Sequence, residues 1–510
     1  MRTKKAFYIM ISNLSYQLVY TLIWLVLPRL FMTFYGSIMN GLILSIRQFL
    51  NFFNIVEAGI GLSSVTALLK PLASNDKDAA NGILSSTKIF YMRAGYIFLS
   101  LITLLAFIYP FLIAHQVDFK ISFFLVLILG SSNFLDFFII GKYKVLLTAD
   151  QRGYVLTNIQ IISLLINLIS YVVLIKFGFN ILLVNGIATL MFASRTFMVF
   201  VYVKKNYPYV SFKEQPNMAV LAQRKDVFIQ QIAGFIVFNT PVIIITIFLG
   251  LKEVSVFTTY NMVFSAILLL LTSFSSALFA GLGDLLVRGE KQRVIEVFTI
   301  FESIFYAIIA WVFTTTFLLI IPFIRIYTHD VLDANYIRPD LAIFFIVAAV
   351  VTNIRIPAYT LVNSAGHFKE TRNGAIAEAI INLVASLIFI QKFGTVGVLI
   401  GAFCSSIYRT VDLIFYASRK ILNCSLKPTI FKLGVNLALS VVAVIPVQWL
   451  IKINPKNAYD WVVYAVILSI WNLMVIMTGN IIVDPKMSRN VFHRCKVVLS
   501  RKRGVTSEEM

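Results

Sequence analysis

Charge is scarce in this sequence. Only 13% of its 510 residues are Asp, Glu, Lys or Arg, against about 25% in an ordinary soluble domain. That shortage excludes a soluble enzyme and a disordered chain. Cysteine is nearly absent: Cys404, Cys424 and Cys495 form neither a disulfide framework nor a metal-ligand spacing. The four histidines (His115, His329, His367 and His493) are scattered through loops and tail. No nucleophile–base pair and no phosphate loop with its lysine is visible, so the sequence predicts no enzyme and no cofactor. Without a nucleotide-binding domain, ATP-driven transport by this chain alone is not expected. Long polar loops are missing too. The longest, at about 326–340 and 204–226, are too short to fold as domains. No small-residue cleavage site follows Arg2, Lys4 and Lys5, so the first helix is expected to be retained.

What fills the chain is apolar surface. Hydrophobic residues make up 59% and aromatics 14%, and the mean hydropathy is +0.86. Apolar runs fall near 7–27, 38–62, 89–113, 121–141, 155–175, 180–203 and 227–250. Others follow near 254–283, 297–325, 341–363, 373–391, 394–418, 430–451 and 459–483. A membrane helix needs about 20 such residues. The pattern predicts an all-α polytopic membrane protein with about fourteen transmembrane helices.

Lys and Arg outnumber Asp and Glu by 44 to 23, a net charge of +21. With the N-terminus placed inside, about 30 basic residues fall on inner segments and about 9 on outer loops. The bias predicts both termini in the cytoplasm. It also accounts for the positive charge without nucleic acid.

The chain is written twice. Lys176-Phe177-Gly178 recurs as Lys392-Phe393-Gly394, and Arg195-Thr196 as Arg409-Thr410. Asn75-Asp76-Lys77 matches Gly289-Glu290-Lys291, Gln17 matches Gln231, and Pro28 matches Pro241. The offset stays at 213–216 residues and spans six helices, so the copies share one orientation. Parallel repeats of this kind are a transporter device, two lobes rocking about a cavity. The sequence therefore predicts lobes at 1–205 and 227–420, a cytoplasmic linker at 206–226, an extra helix pair at 421–483 and a basic tail at 484–510.

Ionisable residues inside spans cost about 2.5–3.5 kcal/mol each on insertion scales, so they normally face a bundle interior or a wet cavity. Asn40, Arg47, Asn51 and Asn54 stand at spacings of 7, 4 and 3 on one helix face. Asn13, Gln17, Tyr20 and Trp24 form a similar stripe ahead of Pro28. Gln231, Asn239 and Pro241 repeat it, and Asn261 stands where the first copy has Arg47. Arg355, beside Pro357, is a further candidate. The substrate-binding candidates are thus Arg47, Asn40, Asn51, Asn54, Gln17, Asn13, Asn261, Gln231, Asn239 and Arg355. Glu57 and Asp136 are the candidates for coupling or charge pairing. Arg195 and Arg409 are expected to snorkel or to pair, Arg409 with Asp412.

Around the second span the residues take on a family likeness. Tyr35-Gly36-Ser37, Asn40-Gly41-Leu42, Gln48-Phe49-Leu50, Glu57-Ala58-Gly59-Ile60-Gly61, Ala67–Ala73 and Asn81-Gly82-Ile83 stand in order. In the second half, Ser276-Ala277-Leu278 precedes Gly289-Glu290-Lys291. The chain resembles the Wzx-type oligosaccharide flippases of bacterial surface-polysaccharide pathways. Their superfamily also holds MATE multidrug exporters and lipid II flippases. The resemblance covers about residues 7–420 and implies a substrate of oligosaccharide repeat units on undecaprenyl pyrophosphate. It further implies membrane lipids, a polysaccharide polymerase and glycosyltransferases as partners. An Arg at position 47 departs from the small hydroxyl residue frequent in relatives. The main alternative is a MATE-like cation-coupled drug exporter, expected to have twelve spans and an inward-facing acid. A membrane polymerase or glycosyltransferase is expected to carry a large outer loop or a catalytic acid motif, and neither is evident.

Overall fold

In the computed structural model the described residues are 2–57, 60–113, 115–212, 214–216, 225–450 and 453–485. Among them every regular element is helical. The basic tail beyond 485, most of the predicted linker after 212, and Ala58-Gly59 of the quoted motif lie outside the described residues.

Thirteen described segments are long and apolar enough to cross a membrane. The first, Tyr8–Glu57, has 50 residues, about 75 Å of helix at about 1.5 Å per residue. A hydrocarbon core is about 30 Å thick, so this segment is two passes. Helix α1 (Arg2–Phe53) breaks at Gly36, whose φ of 82° and ψ of 170° suit only glycine. The break frees N–H groups at the restart of the helix. Asp333 takes up one of them, accepting from Ser37 N at 2.7 Å, and accepts from the Ser37 hydroxyl at 2.6 Å. The two halves of α1 then line one cavity together, residues 20–28 opposite residues 40–51. With α1 counted twice, the described residues supply fourteen passes, as the hydropathy predicts.

The remaining helices are α2 (Ile60–Ala73), α3 (Lys77–Leu112), α4 (Phe119–Leu135), α5 (Gly141–Ala149), α6 (Gly153–Lys176), α7 (Ile181–Asn206) and α8 (Lys225–Phe248). Then follow α9 (Leu251–Val287), α10 (Lys291–Tyr327), α11 (Pro339–Ile354), α12 (Ile356–Ser364), α13 (Phe368–Phe393) and α14 (Thr395–Tyr416). The last two are α15 (Lys427–Leu450) and α16 (Ala458–Val483). Three predicted boundaries differ. The second span ends in a 3₁₀ turn at Asn54–Glu57, not near residue 62. The run at 121–141 continues through a π turn, Asp136–Ile140, into α5. The run at 341–363 is two helices that meet at Arg355.

The repeat is written into the backbone as well. Left-handed positions Gly36, Asn75, Gln151 and Gly178 recur as Gly250, Gly289, Gly366 and Gly394, 214–216 residues on. These are the points where the chain leaves one helix and enters the next, so the two copies turn at the same places.

Packing divides the chain into two units. The first holds Met1–Met262, Asp330–Ala334 and Ser386–Val398. The second holds Val263–His329, Asn335–Ala385 and Leu399–Met510. In the first unit the second half of α1 is tied to α8 and the start of α9. Asn40 Nδ2 donates to Ser255 Oγ at 2.7 Å, Gln48 Nε2 donates to Asn239 Oδ1 at 2.6 Å, and Ser45 and Thr246 share a hydroxyl bond of 2.7 Å. These polar bonds explain why residues 225–262 group with the first unit, although the sequence repeat restarts near 227.

Past α7 the chain stays pinned to the first unit. Asn81 donates to the Tyr209 carbonyl at 3.1 Å and accepts from Ser211 N at 3.0 Å. Tyr207 donates to Asp150 at 2.6 Å, and Arg152 pairs with the same carboxylate at 3.0 Å. Burial pushes the Tyr207 phenol well above its ordinary range, so it remains a donor.

In the second unit α15 and α16 pack on α10. Trp311 donates to the Ser469 carbonyl at 2.9 Å and Asn472 to Thr315 at 3.0 Å. The buried Glu302 carboxylate accepts from Lys432 at 2.8 Å and from Thr429 at 2.8 Å. This ion pair joins α15 to α10, beside the bonds that tie α16 to the same helix.

Candidate functional site

The first unit contains two adjoining cavities. The first is about 310 Å³, enclosed by both halves of α1 with α4, α6 and α7. The second is about 440 Å³, between the N-terminal part of α1, α3, α5, α6 and α7. Both sizes are typical of small-molecule pockets, about 300–1,000 Å³.

Arg47 is the centre of the first cavity's chemistry. It is half-buried on the second half of α1, and its one hydrogen bond runs to the Tyr171 hydroxyl at 3.4 Å. Among the described residues no carboxylate neutralises it. Asn40, Asn51, Asn133 and Asn167 share the lining with it. Asn167 donates to the Ala188 carbonyl at 2.7 Å, which orients its amide. Tyr20 and Trp24 supply aromatic faces, and their rings continue a ladder from Tyr16 with centroid spacings of 5.7 and 6.1 Å. Helix periodicity made this face legible: residues 40, 47 and 51 do meet on one cavity. Asn40 is buried and bonded to Ser255, so it holds the wall as well as lining it.

The predicted residues do not all gather there. Asn13 lines the second cavity and accepts from Thr157 at 3.2 Å. Asn54 lies in the 3₁₀ turn and lines neither cavity. Gln17 turns to Thr21 on its own helix, 3.5 Å away. Asn239 is consumed by Gln48 and by the Phe235 carbonyl, at 2.6 and 2.7 Å. Gln231 is exposed and Asn261 half-buried, and neither lines these cavities. Arg355 lies in the second unit, paired with Glu378 at 2.5 Å. Pro28 is in the first cavity's wall.

Glu57 belongs to the second cavity. Its Oε1 accepts from Tyr91 at 2.8 Å and from Lys144 at 3.3 Å. Asp136 opens the π turn, and its Oδ2 accepts from Arg195 Nη2. A π turn inserts a residue into the helical ring and often marks a functional position. Among the described residues, Asp136 and Arg195 are the two common to both linings. The sequence pattern expects Arg195 to snorkel or to pair; it pairs with Asp136 and stands in both walls, its guanidinium 3.9 Å from the Phe192 ring centroid. Its sequence signal is a second in-span arginine; the fold sets it in the same cavity as Arg47.

The first cavity therefore carries two guanidinium groups against one carboxylate, with amides and aromatic faces around them. Such a lining suits an anion that also carries many hydroxyl groups. Guanidinium forks bind phosphate oxygens in pairs, and amides satisfy hydroxyls.

The fold is that of solved membrane transporters. An inward-facing multidrug resistance MATE family transporter of the MOP superfamily aligns at TM-score 0.65 and 14% identity, over 81% of this chain and 98% of that one. The lipid II flippase MurJ in an inward closed conformation aligns at TM-score 0.65 and 14% identity, over 94% of this chain and 99% of that one. An outward-facing MATE family transporter aligns at TM-score 0.58, over 82% of this chain and 96% of that one. No protein-family model and no curated protein matches the sequence. At 14% identity the likeness establishes the fold.

Proposed function

We propose that this chain is a flippase for oligosaccharide repeat units linked to undecaprenyl pyrophosphate. It would carry them from the inner to the outer leaflet of a bacterial plasma membrane by alternating access, with both termini in the cytoplasm. The observation that carries this reading is the first unit's cavity. Arg47 stands there without a carboxylate partner, ringed by Asn51, Asn133 and Asn167 and faced by Tyr20 and Trp24.

Three physical features support it. A diphosphate needs a cation in a site of low dielectric, where an unpaired guanidinium attracts it strongly. Sugars need amide donors and acceptors and apolar ring faces. The prenyl tail needs neither and stays in lipid. A cationic drug would meet a lining whose cations exceed its acids. The fourteen passes fit a flippase, and the alignment that spans 94% of the chain is to the lipid II flippase. The polymerase and glycosyltransferases of the same pathway are then its expected partners.

The test is a deletion strain. Its lipids should accumulate undecaprenyl-linked oligosaccharide on the inner leaflet while surface polysaccharide falls, and the wild-type gene should reverse both. Arg47→Ala should cripple the rescue and Arg47→Lys should retain part of it. Normal lipid-linked intermediates, together with new sensitivity to cationic drugs, would instead establish the exporter.

A further inference from the structure

One ion pair is shared by the two cavities of the first unit. Among the described residues, Asp136 and Arg195 alone line both. The pair is a minimal one. Asp136 uses only Oδ2; its Oδ1 is buried and accepts no hydrogen bond among the described residues. A guanidinium can hold a carboxylate by two parallel bonds, and here that fork is not made. Arg195 otherwise rests on the Phe192 ring. The acid also opens a π turn, a helix irregularity frequent at functional positions.

The second copy of the repeat shows what a fully held arginine looks like. Arg409 stands 214 residues after Arg195. It is bonded to Asp412 at 2.6 Å, to the Thr371 carbonyl at 3.1 Å, and lies 3.7 Å from Glu378. Its side chain is 4% exposed. Arg195 has one carboxylate contact and a cavity on either side.

We propose that Arg195 is the second anion-binding cation of the first cavity, held in reserve by Asp136. An anion arriving beside Arg47 takes Arg195 as well, and the bond that stands between the two cavities is given up. Lys144 shares the second cavity's wall with Asp136 and pairs with Glu57 at 3.3 Å. The ligand replaces Asp136 at Arg195, and Lys144 then serves both carboxylates, Glu57 keeping its hydrogen bond from Tyr91. Asp136 is thereby a competitor for the substrate's anionic group and sets how strongly that group must bind to join the cavities. The inference rests on the anionic-substrate reading of the site.

The experiment uses the full chain in lipid nanodiscs and farnesyl diphosphate as the probe, with binding followed by calorimetry. Asp136→Asn removes the competitor's charge and should tighten binding about tenfold. Arg195→Gln should weaken it at least tenfold. The double variant should bind no better than Arg195→Gln alone, because the gain from Asp136→Asn exists only through Arg195. Wild type should prefer farnesyl diphosphate to farnesyl monophosphate, and Arg195→Gln should lose most of that preference. If the π turn does not accept asparagine, Asp136→Ser makes the same test. Unchanged or weaker binding in Asp136→Asn, with Arg47→Gln still weakened, would overturn the reserve-cation proposal and leave the flippase reading standing. Failure of the diphosphate to bind wild type at all, with Arg47→Gln no different, would remove both.

Discussion

The two units carry the same arginine on the same helix of the repeat and use it differently. In the first unit Arg195 has one acid, Asp136, and two cavities beside it. In the second unit the charges run in a closed chain: Arg355 to Glu378 at 2.5 Å, Glu378 to Arg409 at 3.7 Å, Arg409 to Asp412 at 2.6 Å. The helix irregularity is also shared in place. The first copy has the π turn ending at Ile140, and the second has the junction at Arg355. A duplicated polar position has thus diverged. One copy is half-satisfied and faces space, which is how a binding or moving part is built. The other is satisfied and closed, which is how a strut is built.

The largest effect should come from breaking the strut. Glu378 is 9% exposed and serves two arginines. Glu378→Gln leaves both guanidinium groups buried without their shared acid. Removing one partner of a buried pair typically costs about 3–5 kcal/mol. Thermal unfolding of the solubilised protein should show that loss, and Asp136→Asn should lose clearly less because Arg195 borders a cavity. Equal stability of the two variants would break the contrast between the units. Next comes Glu302→Gln, which strands Lys432 in a site where its side chain is 12% exposed. A loss of about 3 kcal/mol is expected. The double variant Glu302→Met with Lys432→Met should recover most of it, because apolar residues of similar volume replace a buried pair with little net change. Failure of that recovery would mean the pair does more than join α10 to α15.

How much of this was legible beforehand depends on the range of the interaction. Fourteen passes, the repeat offset and the polar face around Arg47 are local or periodic, and hydropathy and spacing carry them directly. Gly36 is visible as a glycine, but the capping bond that follows it runs from Ser37 to Asp333, 296 residues away, and no pattern links the two. The same holds for Gln48 with Asn239 and for Lys432 with Glu302, separated by 191 and 130 residues. Amide stripes are ambiguous for a related reason. Asn bonds equally well to a neighbouring helix or to a ligand, so Asn239 reads like Asn51 in sequence yet is spent on packing. Spacing predicts that Arg195 snorkels or pairs but does not name its partner, Asp136, which the π turn positions.

The smallest effects should sharpen the comparison at one matched position. Gly374 in the second unit corresponds to Gln160 in the first, 214 residues earlier. A Cβ at Gly374 would overlap Arg409 Nη1 and Asp412 Oδ2, so the charge chain closes only over a glycine. Gly374→Ala should therefore push the arginine aside and cost about 1–3 kcal/mol, the usual range for overpacking. At the matched position there is room for a long side chain. Gln160 lines the second cavity and donates to the Tyr16 hydroxyl at 3.2 Å. Gln160→Ala should cost about 1 kcal/mol or less, the net worth of one half-exposed hydrogen bond. It should also loosen Tyr16 at the foot of the aromatic ladder, so transport should fall modestly while folding is nearly unchanged. A stability loss in Gln160→Ala as large as that of Gly374→Ala would mean that the first unit is packed as a strut too, and that its cavities are not working space.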